Sequence, residues 1–211
     1  MTTYFPVKRT CAVCGKTHTY QEIGSTNCFG PSDLDLRPAP MQRWTMHAWV
    51  QTCPDCGYTA ARVDEPTEAD KEWLAGEVYR TCAGRRFASD LAADFYRCYM
   101  NAMREFREET AMLALVHAAW ACDDEGDEEM AKMCRREAAD LFGIVRCDSD
   151  NYLVLRADLL RRSGQFDKLI EIYKDIHSEN EMVEKILRFE EQRAEAHDTR
   201  RYTVANVMPD D

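Results

Sequence analysis

Apolar residues recur at helical spacing through most of the chain after residue 66. Leu74, Val78 and Cys82 are spaced four residues apart, which places them on one face of a helix. Thr67 and Ser89 stand where the N-caps of the first two helices are expected. Similar stripes continue to about residue 197, so the pattern predicts at least six helices after residue 66.

Two glycines interrupt this pattern and predict turns between paired helices. Gly126 and Gly164 each separate two apolar stripes, so each is expected to join two antiparallel helices. They are 38 residues apart, close to the ~34-residue period of tetratricopeptide (TPR) repeats. Trp120, Ala157 and Tyr173 are expected to be buried between these helices. The sequence therefore predicts TPR-like helical hairpins, with a generic helical bundle as the alternative.

The first part of the chain has a different pattern, with a period of two. Trp44–Gln51 alternates between apolar and polar residues, which predicts a β-strand with Trp44, Met46, Ala48 and Val50 on one face. A weaker strand is predicted over residues 17–23. The fold class is therefore mainly α with a small N-terminal region of short antiparallel β-strands. We expect residues 1–62 to form the β-containing domain, residues 63–204 the helical domain and residues 205–211 a tail.

A long irregular loop is predicted over residues 24–41, which contain two glycines and three prolines. Long loops inside compact units are often functional. Asp33, Asp35 and Arg37 are thus a candidate recognition site, presented to a partner. The favoured alternative is a solvated loop in which these side chains cap turns while Leu34 and Leu36 pack on neighbours.

Four cysteines form two matched C-x-x-C-G units. Cys11 and Cys14 belong to the first unit, and Cys53 and Cys56 belong to the second. A two-residue spacer lets both sulfurs of a unit bind one ion, and four thiolates make a tetrahedral site that most often holds zinc. Because protein fills all four positions, such a Zn²⁺ site is structural. The alternatives are iron in the same cage, as an electron carrier, or redox-active dithiols.

Other candidate ligands fit less well. His18 and Cys28 lie between the two units as spare ligands, but a surface or packing role is preferred for each. The acidic run at 123–129 does not fit a calcium-binding EF-hand loop. Ala121 and Lys132 would occupy positions in that loop that need a carboxylate.

Composition limits the classes of partner. The chain has 211 residues and a net charge of −11. Residues 61–211 hold 22 basic and 34 acidic residues, which disfavours nucleic-acid binding by the helical part and favours protein partners with basic segments. No apolar run approaches ~18 residues and no apolar leader is present, so we expect no membrane span and no export. Four of the ten cysteines belong to the C-x-x-C-G units, and four others lie far apart on helical patterns, so we expect the reducing cytoplasm rather than a disulfide scaffold.

With these motifs in place, the sequence resembles a bacterial family, domain of unknown function 2225. The similarity rests on residues 11–15, the loop segment 32–38, the stretch W-V-x-x-C-P-x-C-G-Y at 49–58, and the helices to about Val204. The resemblance implies the same architecture and a bacterial cytoplasmic location, and it supports the four cysteines as ligands. The family has no assigned activity, so the resemblance implies no reaction.

Three function classes remain open. The favoured one is a zinc-binding protein-interaction module without catalysis, because helical hairpins stack into surfaces that bind protein segments. A homo-oligomer would use the same surface. An enzyme is an alternative, although the sequence contains no nucleophile elbow, H-E-x-x-H motif or phosphate-binding loop. The third is nucleic-acid binding through residues 1–62, which the two cysteine units and short strands predict to be a zinc ribbon, with bases stacked on Trp44 or Trp49. Its basic residues would be Lys8, Arg9, Lys16, Arg37 and Arg43.

Overall fold

The computed structural model describes residues 1–145 and 149–208 and shows a mainly α-helical chain with a small N-terminal β region. Strands β1 (Thr3–Thr10) and β2 (Thr17–Ser25) form one antiparallel hairpin. Strands β3 (Gln51–Thr52) and β4 (Thr59–Ala60) form a second. One C-x-x-C-G unit occupies the turn of each hairpin. The predicted fold class and the strand predicted over residues 17–23 are confirmed.

The strand predicted over Trp44–Gln51 is wrong. Gln42–Ala48 forms a 3₁₀ helix instead. The neighbouring residues Thr45 and Met46 are both buried, whereas Trp44 is 66% exposed. Burial therefore follows the turns of a helix rather than the two faces of a strand, and Trp44 and Met46 do not share one face.

Eight α-helices follow the β region in the described residues, which confirms the prediction of at least six. They are α1 (Lys71–Ala75), α2 (Glu77–Ala83), α3 (Asp90–Arg104), α4 (Glu108–Asp124), α5 (Glu128–Leu141), α6 (Asp150–Arg162), α7 (Phe166–Tyr173) and α8 (Glu181–Glu195). Short connections join α3 to α4, α4 to α5 and α6 to α7, and each pair packs side by side, so these helices run antiparallel. None of the described helices is long and apolar enough to cross a membrane.

Side-chain caps show where two helices begin. Asp70 Oδ1 accepts a hydrogen bond from Trp73 N–H at 2.7 Å and caps α1, so the predicted cap at Thr67 is wrong. Ser89 Oγ accepts a hydrogen bond from Ala92 N–H at 3.3 Å and caps α3, as predicted for that residue. Both caps satisfy a backbone donor that has no partner within its own helix.

The predicted turns and buried residues of the helical hairpins are confirmed. Gly126 lies between α4 and α5 with φ of +71°, and Gly164 lies between α6 and α7 with φ of +76°. Glycine adopts this left-handed conformation without strain. Trp120, Ala157 and Tyr173 are buried between the helices. The TPR-like character of the repeat stays a prediction.

The main core joins the helices to the N-terminal part of the chain. Leu34, Met46 and Val50 are buried in the same apolar cluster as residues of α2–α8. A smaller cluster surrounds Cys11 and Cys53. The domain boundary expected at residue 62 stays a prediction, but side chains from before that point help to form the helical core.

The C-terminal segment returns to the N-terminal loop. Leu34 N–H donates to the Tyr202 carbonyl at 3.0 Å, and Val204 N–H donates to the Ser32 carbonyl at 3.0 Å. A short 3₁₀ helix, Val204–Asn206, follows. Of the tail expected at residues 205–211, residues 209–211 lie outside the described part of the chain.

Candidate metal centre

The four cysteines of the two C-x-x-C-G units meet in one cluster. Their sulfur atoms all lie within 4.8 Å of one another. Cys11 Sγ is 3.7 Å from Cys56 Sγ, and Cys14 Sγ is 3.6 Å from Cys53 Sγ. These separations are far longer than the ~2.05 Å of a disulfide bond. They are close to the ~3.8 Å edge of a tetrahedron whose centre lies ~2.3 Å from each sulfur, the usual zinc–sulfur distance.

The two units have the same backbone conformation, which explains how they come to face one ion. In the first unit, Gly15 N–H donates to the Cys11 carbonyl at 2.9 Å. In the second, Gly57 N–H donates to the Cys53 carbonyl at 2.8 Å. The two glycines have φ of +73° and +74°. The glycine that follows each unit therefore closes a tight turn that brings both sulfurs to one side.

Burial and backbone donors set the acidity of the thiols. Burial raises the pKa of Cys11 and Cys56. The backbone N–H of Lys16 lowers the pKa of Cys14, and this effect is larger than that of burial. Metal ligation requires the thiolate form, and a bound cation favours it even at a buried sulfur. The cluster thus combines low solvent access with backbone donors that stabilise negative sulfur.

The two spare candidate ligands lie in different places. His18 Nε2 is 2.5 Å from Asp55 Oδ2, and these two groups with Cys53 form a second set whose ligand atoms lie within 4.8 Å of one another. This set shares its sulfur with the four-cysteine cluster, so it is not a separate centre. Cys28 is exposed, and its Sγ donates to the Ala39 carbonyl at 3.4 Å.

The candidate recognition residues lie inside the protein. Asp33, Asp35 and Arg37 are each 1% exposed, so the structure neither presents them to a partner nor solvates them. Arg43 Nη2 donates to Asp33 Oδ1 at 2.8 Å, and Arg37 Nη2 donates to Asp124 Oδ2 at 2.5 Å. The interpretation of this loop as an exposed site is corrected: its charged side chains pair with other parts of the chain.

Beneath the loop lies an ionic network that the sequence did not reveal, formed by Asp35, Asp123, Arg135 and Arg162. Arg162 donates from Nη1 to Asp35 Oδ2 at 3.0 Å and from Nη2 to Asp123 Oδ2 at 2.8 Å. Arg135 Nη1 donates to Asp123 Oδ1 at 3.1 Å. Burial alone would raise the pKa of Asp123, but the two guanidinium groups outweigh it and lower that pKa. Asp123 therefore stays ionised although it is buried.

Comparison with known proteins identifies the family. The protein-family model described as "Uncharacterized protein conserved in bacteria (DUF2225)" matches residues 4–196. The match includes both cysteine units, the buried loop and all eight α-helices. No curated protein and no solved structure matches the chain. Because the match extends over most of its length, the chain belongs to this bacterial family.

Proposed function

We propose that Cys11, Cys14, Cys53 and Cys56 bind one structural Zn²⁺. The sulfur–sulfur distances of 3.6 and 3.7 Å support this assignment, because they fit tetrahedral coordination by four thiolates. Four protein ligands leave no coordination position for water or substrate. The ion would join two hairpins that share only a small apolar cluster, and its binding energy would contribute to folding.

We further propose that the protein acts by binding another protein, without catalysis of its own. The observation that carries this proposal is an aromatic surface beside the cysteine hairpins, formed by Tyr4, Phe29, Trp44 and His47. Trp44 is 66%, Phe29 63% and Tyr4 40% exposed. Large aromatic side chains at a surface are typical anchors of protein interfaces.

Backbone and ring contacts place these residues side by side. The rings of Tyr4 and His47 are 5.3 Å apart. Trp44 precedes His47 by three residues in the 3₁₀ helix, so the two side chains share a face. Phe29 N–H donates to the Pro40 carbonyl at 2.5 Å, just before this helix. The side chains of Tyr4 and His47 are therefore in contact, and Trp44 and the backbone of Phe29 lie at the same 3₁₀ helix.

The charge of the chain supports a partner with a basic segment. Residues 61–211 carry 12 more acidic than basic side chains. An acidic protein attracts positively charged segments and repels nucleic-acid phosphates. The nucleic-acid alternative also loses support, because Arg9, Arg37 and Arg43, three of its five basic residues, are each ion-paired with a carboxylate.

The test starts with cross-linking in a bacterial lysate and continues with the purified partner, so that affinity is measured with two pure components. Trp44→Ala should raise the Kd at least about tenfold, because burying a Trp anchor commonly contributes roughly 2 kcal/mol or more. Added salt should weaken the complex. The matched control is Phe106→Asn, which removes an aromatic side chain that is 83% exposed; Asn tolerates the φ of +55° at this position.

An unchanged Kd for Trp44→Ala, or an equal loss of affinity in Trp44→Ala and Phe106→Asn, would argue against the aromatic surface as the binding site. A captured ligand that proves to be a nucleic acid, or a small molecule that the protein converts, would argue against the proposed class of function.

A further inference from the structure

A cleft of about 430 Å³ adjoins the ionic network, three of whose residues, Asp123, Arg135 and Arg162, help to line it. It opens between the α4–α5 turn, the first half of α5, the end of α6 and the segment that follows α8. Its lining residues are Asp123, Gly126, Glu128, Ala131, Lys132, Arg135, Arg162, Thr199, Arg200 and Arg201. Its volume falls within the ~300–1,000 Å³ of typical small-molecule sites.

The cleft lining is cationic although the chain is acidic. Five basic side chains line it against two carboxylates, those of Asp123 and Glu128. Arg200 is ion-paired with Asp198, and Asp35 as well as Asp123 pairs with the two buried arginines, so the excess positive charge rests on Lys132 and Arg201. It is opposite in sign to the net charge of −11 of the whole chain. A concave surface with charge of one sign concentrates ligands of the opposite sign.

Two arginines form a rigid floor. Arg135 is 2% and Arg162 8% exposed, and both are held in place by Asp123. Asp35 is ion-paired with both: its Oδ2 is 3.0 Å from Arg162 Nη1 and 3.7 Å from Arg135 Nη2. Since the network fixes both guanidinium planes, little conformational entropy would be lost when they bind a ligand.

This floor has hydrogen-bond donors to spare. A guanidinium has five N–H donors, and the carboxylates of the network use only part of them. The Nε atoms of Arg135 and Arg162 are buried and have no acceptor among the described residues. Buried donors of this kind normally have a partner, in protein, water or a bound ion.

Two basic side chains at the rim of the cleft, Arg201 and Lys132, have only distant ion-pair partners. Arg201 Nε is 3.9 Å from Asp33 Oδ2, and that carboxylate already accepts a 2.8 Å hydrogen bond from Arg43. Lys132 Nζ is 3.5 Å from the highly exposed carboxylate of Glu129. Neither rim cation is therefore neutralised in a fixed geometry, and both remain free to contact a ligand.

We propose that this cleft binds a small-molecule anion that carries phosphate groups. Arginine forks match the oxygen geometry of phosphate, and phosphate groups suit the excess positive charge better than a single carboxylate does. This site is separate from the cysteine cluster and from the aromatic surface.

The experiment is calorimetric titration of the full zinc-loaded chain with pyrophosphate. Parallel titrations with inorganic phosphate, a nucleoside monophosphate and citrate show which class of anion binds most tightly. We expect one pyrophosphate site per chain. The double variant Lys132→Gln/Arg201→Gln should raise its Kd by about tenfold or more, because two charge-assisted hydrogen bonds are lost. Both positions lie at the rim, outside the ionic network.

The matched control is Lys185→Gln/Arg188→Gln, which removes the same two charges from the exposed face of α8 and should leave the Kd unchanged. Amide NMR shifts of the unmodified chain supply a second measurement that needs no variant: pyrophosphate should shift residues 126–132 and 199–201. Equal affinity of the two double variants, shifts confined to other regions, or no binding at millimolar concentration would overturn the proposal. Tighter binding of citrate than of every phosphate compound would overturn the ligand class.

Discussion

Arg162 Nη1 lies 3.0 Å from Asp35 Oδ2, although the two residues are 127 positions apart in the chain. This contact joins a loop between the two cysteine units to the end of α6. The indole N–H of Trp120 donates to the same oxygen at 2.7 Å. Asp35 therefore acts as an internal counter-ion that holds the β region against the helices.

Asp35→Asn should destabilise the protein by roughly 3 kcal/mol, because it removes one of the two carboxylates that compensate the buried guanidinium groups of Arg135 and Arg162. Chemical denaturation at neutral pH measures this loss. The matched control is Asp140→Asn, which breaks an exposed 3.0 Å ion pair with Lys168 and should cost no more than about 1 kcal/mol. Similar unfolding free energies for the two variants would contradict the internal counter-ion role.

Elemental analysis of the purified chain should find about one zinc per molecule, because the four sulfurs complete a tetrahedral site. Cys53→Ala should lose the metal and melt at a lower temperature. Cys28→Ala removes an exposed thiol outside the cluster and should keep both metal and stability. Full metal retention in Cys53→Ala would refute the ligand assignment. If the purified chain instead contained iron and showed its absorption band, the site would be a redox centre rather than a structural zinc site.

Gly164→Ala should lower the unfolding free energy by roughly 1–2 kcal/mol, because φ is +76° and a Cβ atom is strained in that conformation. A Cβ at this position meets no heavy atom within 4 Å, so the effect would come from the backbone alone. Gly143→Ala is the control: its φ lies outside the left-handed region and its Cβ would make only an ordinary contact with Asp140. In thermal unfolding, Gly164→Ala should melt at a lower temperature than Gly143→Ala. An unchanged melting temperature for Gly164→Ala would show that the turn can rearrange.

A buried carboxyl group in α8 should make stability depend on pH. Burial raises the pKa of Glu190 to about 8, and the nearby Asp158 carboxylate adds to the rise while Arg161 opposes it. The folded chain therefore keeps a proton that the unfolded chain releases above the ordinary Glu pKa of about 4.3. The stabilising contribution is complete below that value and is lost as the pH rises through about 8.

Glu190→Gln should remove this dependence. Between about pH 6 and 8, the unfolding free energy of the unmodified chain should fall relative to the variant by up to about 1.4 kcal/mol per pH unit. Denaturation curves at several pH values supply the comparison. Parallel curves for the two proteins would show that Glu190 is ionised in the folded state.

Features set by neighbouring residues could be predicted from the sequence. The C-x-x-C-G spacing brings two sulfurs together within a few residues, and the glycine turns at 126 and 164 need only local backbone geometry. The segment 44–51 was mispredicted because alternation over eight residues does not distinguish a strand from a short helix whose burial is decided by distant contacts.

Pairings between distant charges could not be predicted. The sequence shows that Asp35, Asp123, Arg135 and Arg162 are charged, but charged residues are usually exposed. Only the packing of the helices brings these four side chains together and excludes water from them. The cationic cleft depends on the same packing, so it too had no local signal.

The return of the C-terminal segment to the N-terminal loop has a consequence for biosynthesis. The backbones of Ser32 and Leu34 form hydrogen bonds with those of Val204 and Tyr202, which are translated about 170 residues later. At bacterial translation rates this separation is a delay of roughly 10–30 seconds. A nascent chain can form its cysteine turns early but can close this loop only after residues 202–204 have left the ribosome. A chain that stops before residue 198 would also deprive Arg161 of the Asp198 and Arg200 carbonyls. A chain that lacks residues 198–204 should therefore be less stable and more susceptible to proteolysis than the full chain.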